Sequence, residues 1–232
     1  MSSGNPAAAV GTDAAPSWVP YAVPMALFLV LTLAEGYAPK TWYPALYTVK
    51  VAAVTVALCL CAKAWRGELR WDARAVGLGL LAGLIGLPLW LGIDAVTPPL
   101  KLLGTRSAYD PYTEIVDPAL RAGFLAVRLF GLAAVVPVME EVFWRSFLLR
   151  YATDPDRWKA LPLGTFSAAA FAIVAVLFAL AHPEYLAAFV YAALMAGLLR
   201  ATGSLSACVA AHAATNLALG VYVLLTGNWK LW

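Results

Sequence analysis

The chain consists of long apolar stretches that alternate with short polar connections. A helix that spans a bilayer needs roughly 20 mainly apolar residues, within a range of about 17–25. On this measure the pattern predicts about seven spans, at about 18–33, 45–62, 75–95, 118–151, 163–181, 184–199 and 205–226. We therefore expect an all-α fold, a polytopic transmembrane helical bundle.

The composition agrees with a chain embedded in the lipid bilayer. Apolar residues make up 62% of it and charged residues only 12%, whereas a soluble domain carries about 25% charged residues. The net charge of +3 comes without a stripe of basic and aromatic residues, so no nucleic-acid partner is expected. The three cysteines lie in apolar runs and are interpreted as core residues.

The polar segments suggest how the chain is organised. Residues 1–17 contain neither Lys nor Arg, which favours a short disordered tail over a signal peptide. Residues 18–117 would form N-terminal transmembrane helices and an interfacial loop, and residues 118–226 a helical core that carries the candidate chemistry. The polar connection 97–117 is interpreted as a surface linker, with a flap over a site as the alternative.

Basic residues concentrate in alternate connections, which suggests an orientation. They are Lys63, Arg66, Arg70, Arg74, Arg150, Arg157, Lys159 and Arg200. The positive-inside rule places these connections in the cytoplasm and the N-terminus outside.

Ionisable residues within the apolar stretches point to chemistry. The chain has only two histidines, His182 and His212, and a third apolar stretch carries Glu140, Glu141 and Arg145. Each such group costs about 2.5–3.5 kcal/mol on insertion scales, so it rarely persists without a role. Carboxylates and imidazoles activate water and transfer protons. The combination indicates a membrane-embedded hydrolase.

The two glutamates are expected to differ. Glu141 and Arg145 are four residues apart and would form an ion pair on one helix face, for which a purely structural role is an equal alternative. Glu140 lies about 100° around the helix and has no basic partner at that spacing, so it is available to a ligand or to water. Pro137 predicts a bend or local opening beside Glu140.

The two histidines also differ. His182 ends an apolar run just before Pro183, and taken by itself it would be interpreted as an interfacial residue. His212 lies about mid-span with Asn216 four residues later, and unpaired polar groups there would be costly. A polar cavity is the favoured explanation. Two adjacent donors suit an oxyanion site.

Three motifs together resemble a known family. They are Glu-Glu-x-x-x-Arg (Glu140, Glu141, Arg145), Phe-x-x-x-His (Phe178, His182) and His-x-x-x-Asn (His212, Asn216). Over about residues 119–220 their order resembles the CPBP intramembrane proteases, also called the Abi or Rce1-like CAAX-processing family. The first 70 residues look similar to the exosortase-associated CAAX prenyl protease-related branch. One departure is Ser146, where many members have Gly.

The resemblance implies an intramembrane endopeptidase in a bacterial inner (cytoplasmic) membrane. Its substrate would be a membrane-associated peptide or protein, such as a CAAX-like, prenylated or sorting-signal-bearing one. Glu140 would be the general base, and His182 would hold and polarise the attacking water. His212 and Asn216 would stabilise the oxyanion. Glu141, Arg145 and Phe178 would support these residues.

Mechanisms with and without a metal ion both fit the sequence. We favour a glutamate mechanism with no metal cofactor, since no His-Glu-x-x-His occurs and no carboxylate at local spacing orients either histidine. The alternative is a zinc metalloprotease with Glu140, His182 and His212 as ligands.

The predicted spans place two of the candidate residues at different depths in the membrane. If every predicted span crosses the bilayer, Glu140 approaches the cytoplasmic face and His182 the opposite one. A bend at Pro137, a water-filled cavity or a different helix count would bring them together.

Two other functions fit the same polar core. One is a non-catalytic membrane protein, such as an immunity or scaffold protein. The other is a proton-coupled transporter, which is less favoured because no internal repeat is visible and the first three spans lack His, Glu and Asp in their middles.

Overall fold

The computed structural model describes residues 17–100 and 108–232, and these residues form helices and connections without any strand. The α-helices are α1 (Val19–Tyr37), α2 (Tyr43–Trp65), α3 (Ala73–Val96), α4 (Pro111–Glu114), α5 (Pro118–Phe130), α6 (Val136–Glu141), α7 (Leu149–Thr153), α8 (Ala168–Leu180), α9 (Tyr185–Thr202) and α10 (Leu205–Thr226). The all-α prediction is confirmed. The predicted disordered tail lies, apart from Ser17, outside the described residues, as does the part of the interfacial loop at 101–107.

Six helical runs of the described residues are long and apolar enough to cross a membrane. They are Val19–Tyr37, Lys40–Glu68, Ala73–Val96, Pro118–Thr153, Tyr185–Thr202 and Leu205–Thr226. The seventh apolar helix, α8, has only 13 residues, about 20 Å at 1.5 Å per residue. The chain is thus a multi-pass membrane protein, and its described residues include six full-length spans and one short apolar helix, close to the predicted count of about seven.

Helices α5, α6 and α7 are continuous and form one run of 36 residues, called the long helix below. Two π-helical segments, Gly131–Val135 and Val142–Leu148, separate its α-helical parts. The side chain of Asp117 caps the start by accepting from the backbone N–H groups of Ala119 and Leu120. The local opening predicted beside Pro137 therefore takes the form of π turns on both sides of α6.

Helices α3 and α10 pack along a seam of small residues. A Cβ at Gly79 would meet the backbone of Ala207, and one at Gly83 would meet that of Ala211. The Thr215 hydroxyl donates to the Gly83 carbonyl oxygen at 2.9 Å. Only glycine permits this approach. The seam fixes the position of α10, which carries two of the candidate catalytic residues.

The three basic connections lie at one end of the bundle, called the basic face below. Lys159, between α7 and α8, donates to the Ala64 carbonyl oxygen near the end of α2 at 3.1 Å. Ser206, at the start of α10, donates to the Arg70 carbonyl oxygen at 2.8 Å. The structure thus groups the connections that the sequence assigned to one side. Their cytoplasmic location stays a prediction.

Candidate active site

A cavity of about 670 Å³ lies within the bundle. Its inner end is lined by the four candidate catalytic residues, Glu140, His182, His212 and Asn216. Its other end reaches the connections opposite the basic face, which supply Ala38, Pro39, Lys40 and Tyr109 to its wall. The structure therefore places the four residues around one cavity that is large enough to hold solvent.

The short helix α8 removes the conflict of depth. Trp144 of the long helix contacts Phe178 of α8, with ring centroids 5.6 Å apart. Because these helices run in opposite directions, Glu140 and His182 each lie about one turn beyond that contact, towards the same side. The conflict arose because the sequence pattern treated α8 as a full span. The helix ends inside the bundle, and so His182 reaches the depth of Glu140.

Glu141 lies between two buried partners. One of its carboxylate oxygens accepts from Nδ1 of His212 at 2.8 Å, and the other lies 3.2 Å from Nε of Arg145. Glu141 is fully buried, and Arg145 and His212 are nearly so. The predicted ion pair is thus present. Glu141 also orients an imidazole 71 residues away in sequence, which local spacing did not reveal.

Glu140 has a different environment. It is 7% exposed and lines the cavity. Its Oε2 atom is buried and has no hydrogen-bond partner among the described residues. A buried carboxylate oxygen without a donor is costly.

His182 is held by its own helix and by two aromatic rings. Its Nδ1–H donates to the Phe178 carbonyl oxygen at 2.8 Å. The ring centroids of Phe178 and Trp90 lie 4.6 and 5.7 Å from that of the imidazole. In the neutral ring this tautomer makes Nε2 an acceptor. Phe178 also lies under the Arg145 guanidinium, 4.7 Å from its ring centroid, in agreement with a supporting role.

Asn216 is oriented by a carbonyl group of the π-helical segment. Its Nδ2 donates to the Leu132 carbonyl oxygen at 2.9 Å. A π turn displaces the usual helical hydrogen bonds, and the side chain of Asn216 supplies a donor at that point. The amide has a second N–H, and Asn216 lines the cavity.

Sequence reasoning did not identify several residues that shape the wall. Tyr191 packs against His212 with ring centroids 5.9 Å apart and donates to the Thr215 hydroxyl at 3.1 Å. Trp90 contacts both Tyr191 and His182. The spacing Gly79-x-x-x-Gly83 is a signal that could have located the seam that brings α3 against these residues.

Ser146, which replaces the glycine common in the resembled family, belongs to a separate buried network. Its hydroxyl donates to Glu68. Glu68 also accepts from Arg150 at 2.7 Å, from Tyr21 at 2.9 Å and from Lys159. The network lies at the basic face, where partial burial lowers the pKa of Lys159. It ties α1, α2 and the long helix together, away from the cavity.

The arrangement also bears on the zinc alternative. Within residues 17–100 and 108–232, no three His, Cys, Asp or Glu side chains are grouped closely enough to hold one metal ion. Glu140, His182 and His212 therefore do not fit a three-ligand zinc site in this arrangement. The Glu141–His212 contact is nevertheless of the kind that orients metal-binding histidines, and metal dependence stays a prediction.

Comparison with known families gives a match over the segment that carries these residues. Residues 122–218 match the family model described as Type II CAAX prenyl endopeptidase Rce1-like. The resemblance to the CPBP family is confirmed over this segment. The Rce1-like match implies a membrane protease. The exosortase-associated branch stays a prediction. Neither the curated proteins nor the solved structures that were compared gave a match.

Proposed function

We propose that the protein is an intramembrane endopeptidase of glutamic type, which hydrolyses a peptide bond in a membrane-associated protein. The observation that carries this proposal is the contrast between the paired glutamates. Glu141 forms ion pairs with His212 and Arg145 and does not line the cavity, whereas Glu140 lines it and forms no ion pair among the described residues. Within an Rce1-like segment, this contrast supports Glu140 as the general base.

The geometry supports one order of events. Glu140 accepts a proton from water while the water oxygen attacks the carbonyl carbon, and Nε2 of His182 accepts a hydrogen bond from the same water. When the tetrahedral intermediate collapses, the Glu140 carboxyl returns the proton to the departing amine.

The opposite wall supplies donors for the oxyanion. With Nδ1–H donated to Glu141, His212 can donate from Nε2 only as an imidazolium, and the Glu141 carboxylate is the counter-charge. Asn216 contributes the N–H that Leu132 does not use. Donors fixed in advance stabilise a developing charge without reorganisation.

Cleavage by the purified protein tests the proposal. A membrane-anchored peptide with a CAAX-like C-terminus would be incubated with the wild type, with Glu140→Gln and with Asp154→Asn. The last removes a carboxylate in a connection at the basic face, outside the cavity. We expect cleavage to persist in Asp154→Asn and to fall by several orders of magnitude in Glu140→Gln. Equal rates in all three proteins would refute the assignment.

A further inference from the structure

A second polar cluster lines the same cavity, towards the end that Lys40 and Tyr109 border. It consists of Glu35 from α1, Lys50 from α2 and Arg128 from α5. Glu35 and Lys50 lie outside the segment that matches the Rce1-like family. The cluster plays no part in the hydrolysis described above.

The charge of Lys50 is neutralised within the cluster. Its ammonium pairs with Glu35 and donates to the Thr32 hydroxyl at 3.1 Å. The side chains of Lys50 and Glu35 are 5% and 10% exposed. The two charges of this pair balance each other, although Oε1 of Glu35 has no hydrogen-bond partner among the described residues.

Arg128 is the cation that remains. Its guanidinium lies over the ring of Tyr47 at 4.4 Å and near that of Trp232 at 5.7 Å. It forms no ion pair with any carboxylate of the described residues, and its buried Nε has no hydrogen-bond partner there. Two cations thus face one carboxylate, which leaves an excess of one positive charge. An excess cation in such a cavity favours an anionic ligand.

Arg128 is also aligned with the candidate active site. Arg128, Leu132, Val136 and Glu140 line the cavity at intervals of four residues. In an α-helix three such steps rotate a side chain by about 120°. A π-helical turn contains more residues than an α-helical turn, so the segment Gly131–Val135 offsets this rotation. One face of the long helix therefore carries both Arg128 and Glu140.

The separation suits a short peptide. Twelve residues of helix separate Arg128 from Glu140, or about 18 Å along its axis. An extended peptide of roughly five residues covers that distance, and fewer are needed because the arginine side chain points into the same cavity.

We propose that Arg128, beside the Glu35–Lys50 pair, binds the C-terminal carboxylate of the peptide whose scissile bond lies at Glu140. This inference rests on the proposed endopeptidase function and adds a binding residue to it. The guanidinium fork matches a carboxylate and forms charge-assisted hydrogen bonds with it. A lipid phosphate shares this chemistry, but only a peptide carboxylate arrives joined to a bond at Glu140.

Binding to a non-cleaving variant tests the subsite separately from catalysis. Glu140→Gln in phosphatidylcholine nanodiscs would be titrated with two prenylated peptides of one sequence, one ending in a carboxylate and the other in a carboxamide. We expect the acid to bind tighter by roughly tenfold or more. Adding Arg128→Gln should remove this preference. Adding Arg121→Gln should not, since Arg121 lies on the same helix but outside the cavity, stacked on Tyr112.

Three results would overturn the proposal. Equal affinities of acid and amide with Arg128 present would show that the arginine only packs on its aromatic neighbours. An unchanged preference in Arg128→Gln would place the carboxylate elsewhere. If Arg128→Gln weakened binding of phosphatidylglycerol in a parallel lipid titration but left the acid-to-amide ratio intact, the anion would be a lipid.

A second variant covers poor folding of Arg128→Gln. Arg128→Lys keeps the charge and loses the fork, so the acid preference should fall, and an unchanged preference would again overturn the assignment. Failure of the peptidase proposal would look different. The wild type would then cleave neither peptide, while the acid preference of Glu140→Gln would remain.

Discussion

Neighbouring glutamates in one helix have different environments in this protein, and we propose different tasks for them. Glu140→Gln keeps the shape of a side chain that has an unpartnered oxygen. Glu141→Gln removes the charge that Arg145 and His212 share. Because breaking a buried ion pair leaves an unpaired charge, we expect Glu141→Gln to cost about 3–5 kcal/mol. Glu140→Gln should cost far less.

Melting temperature and membrane yield of the two variants, measured in one detergent, check this difference. A low melting temperature for Glu140→Gln together with a normal one for Glu141→Gln would reverse the assignment of the two residues.

Asn216 is expected to affect both rate and stability. Asn216→Ala removes an oxyanion donor, so kcat should fall by roughly 10²–10³ with little change in KM. It also leaves the Leu132 carbonyl oxygen without its donor, which adds a loss of about 1–3 kcal/mol in stability. Asn216→Asp should be worse in both respects, since a carboxylate donates to neither oxygen.

Measuring kcat and melting temperature on the same samples separates these effects, with the exposed Asn228→Ala as the control. A loss of stability with unchanged kcat would remove Asn216 from the catalytic group and leave it a packing role.

Removal of metal ions tests whether the proposed glutamate mechanism operates without a metal cofactor. If carboxylate and imidazole alone activate the water, exhaustive dialysis against a chelator should leave the cleavage rate unchanged. Loss of activity that returns with zinc, at about one bound ion per chain, would favour the metalloprotease alternative.

At the scale of elements, the seam of small residues between α3 and α10 sets the position of α10. A Cβ at Gly83 would crowd the backbone of Ala211 and lie 2.8 Å from the Cβ of Ala214. We therefore expect Gly83→Ala to destabilise the protein by about 1–3 kcal/mol. Gly77, on the same helix, has no atom within 4 Å of such a Cβ. Gly77→Ala should be neutral or slightly stabilising.

Thermal unfolding of the two alanine variants, with cleavage rates alongside, checks the seam. Equal melting temperatures would mean that α3 and α10 have room to separate without cost.

The helices themselves were largely predictable from the sequence, but their positions along the membrane normal were not. The apolar pattern placed a span at 163–181, whereas α8 begins at Ala168 after the cap of Ser167. Residues such as Leu163 and Phe166 are apolar yet lie in the connection. Hydropathy does not distinguish an apolar connection from a helical turn, and the depth of His182 was misjudged for that reason.

The convergence of the candidate residues followed from the motifs, whereas their tertiary contacts did not. The spacing of Glu141 and Arg145 predicted their ion pair, but no local rule joins Glu141 to His212. The π segments were equally hidden, since one wider turn hardly alters an apolar pattern. Arg128 and Lys50 were visible as charges within predicted spans, but the sequence did not show that they line the same cavity as Glu140.

At the scale of the whole molecule, the cavity opens away from the basic face. If the positive-inside rule places that face in the cytoplasm, the cavity mouth faces the other side of the membrane. Two exposed glycines with open space around them mark the two ends, Gly36 at the mouth and Gly67 at the basic face.

Labelling of intact cells with a membrane-impermeant thiol reagent checks the orientation. In a background in which the native cysteines are replaced by alanine, we expect Gly36→Cys to be labelled and Gly67→Cys to be protected until the cells are opened. The opposite pattern would turn the cavity towards the cytoplasm.

The seam between α3 and α10 also has a consequence for biosynthesis. The hydrogen bond from Thr215 to Gly83 joins residues 132 positions apart, so at about 5–20 residues per second the ribosome needs roughly 7–26 s to supply the second partner. In the second half of that interval Glu141 and Arg145 are already made and can pair, but His212 and Asn216 have yet to be made. The nascent chain therefore carries the proposed general base without the proposed oxyanion donors until α10 enters the membrane.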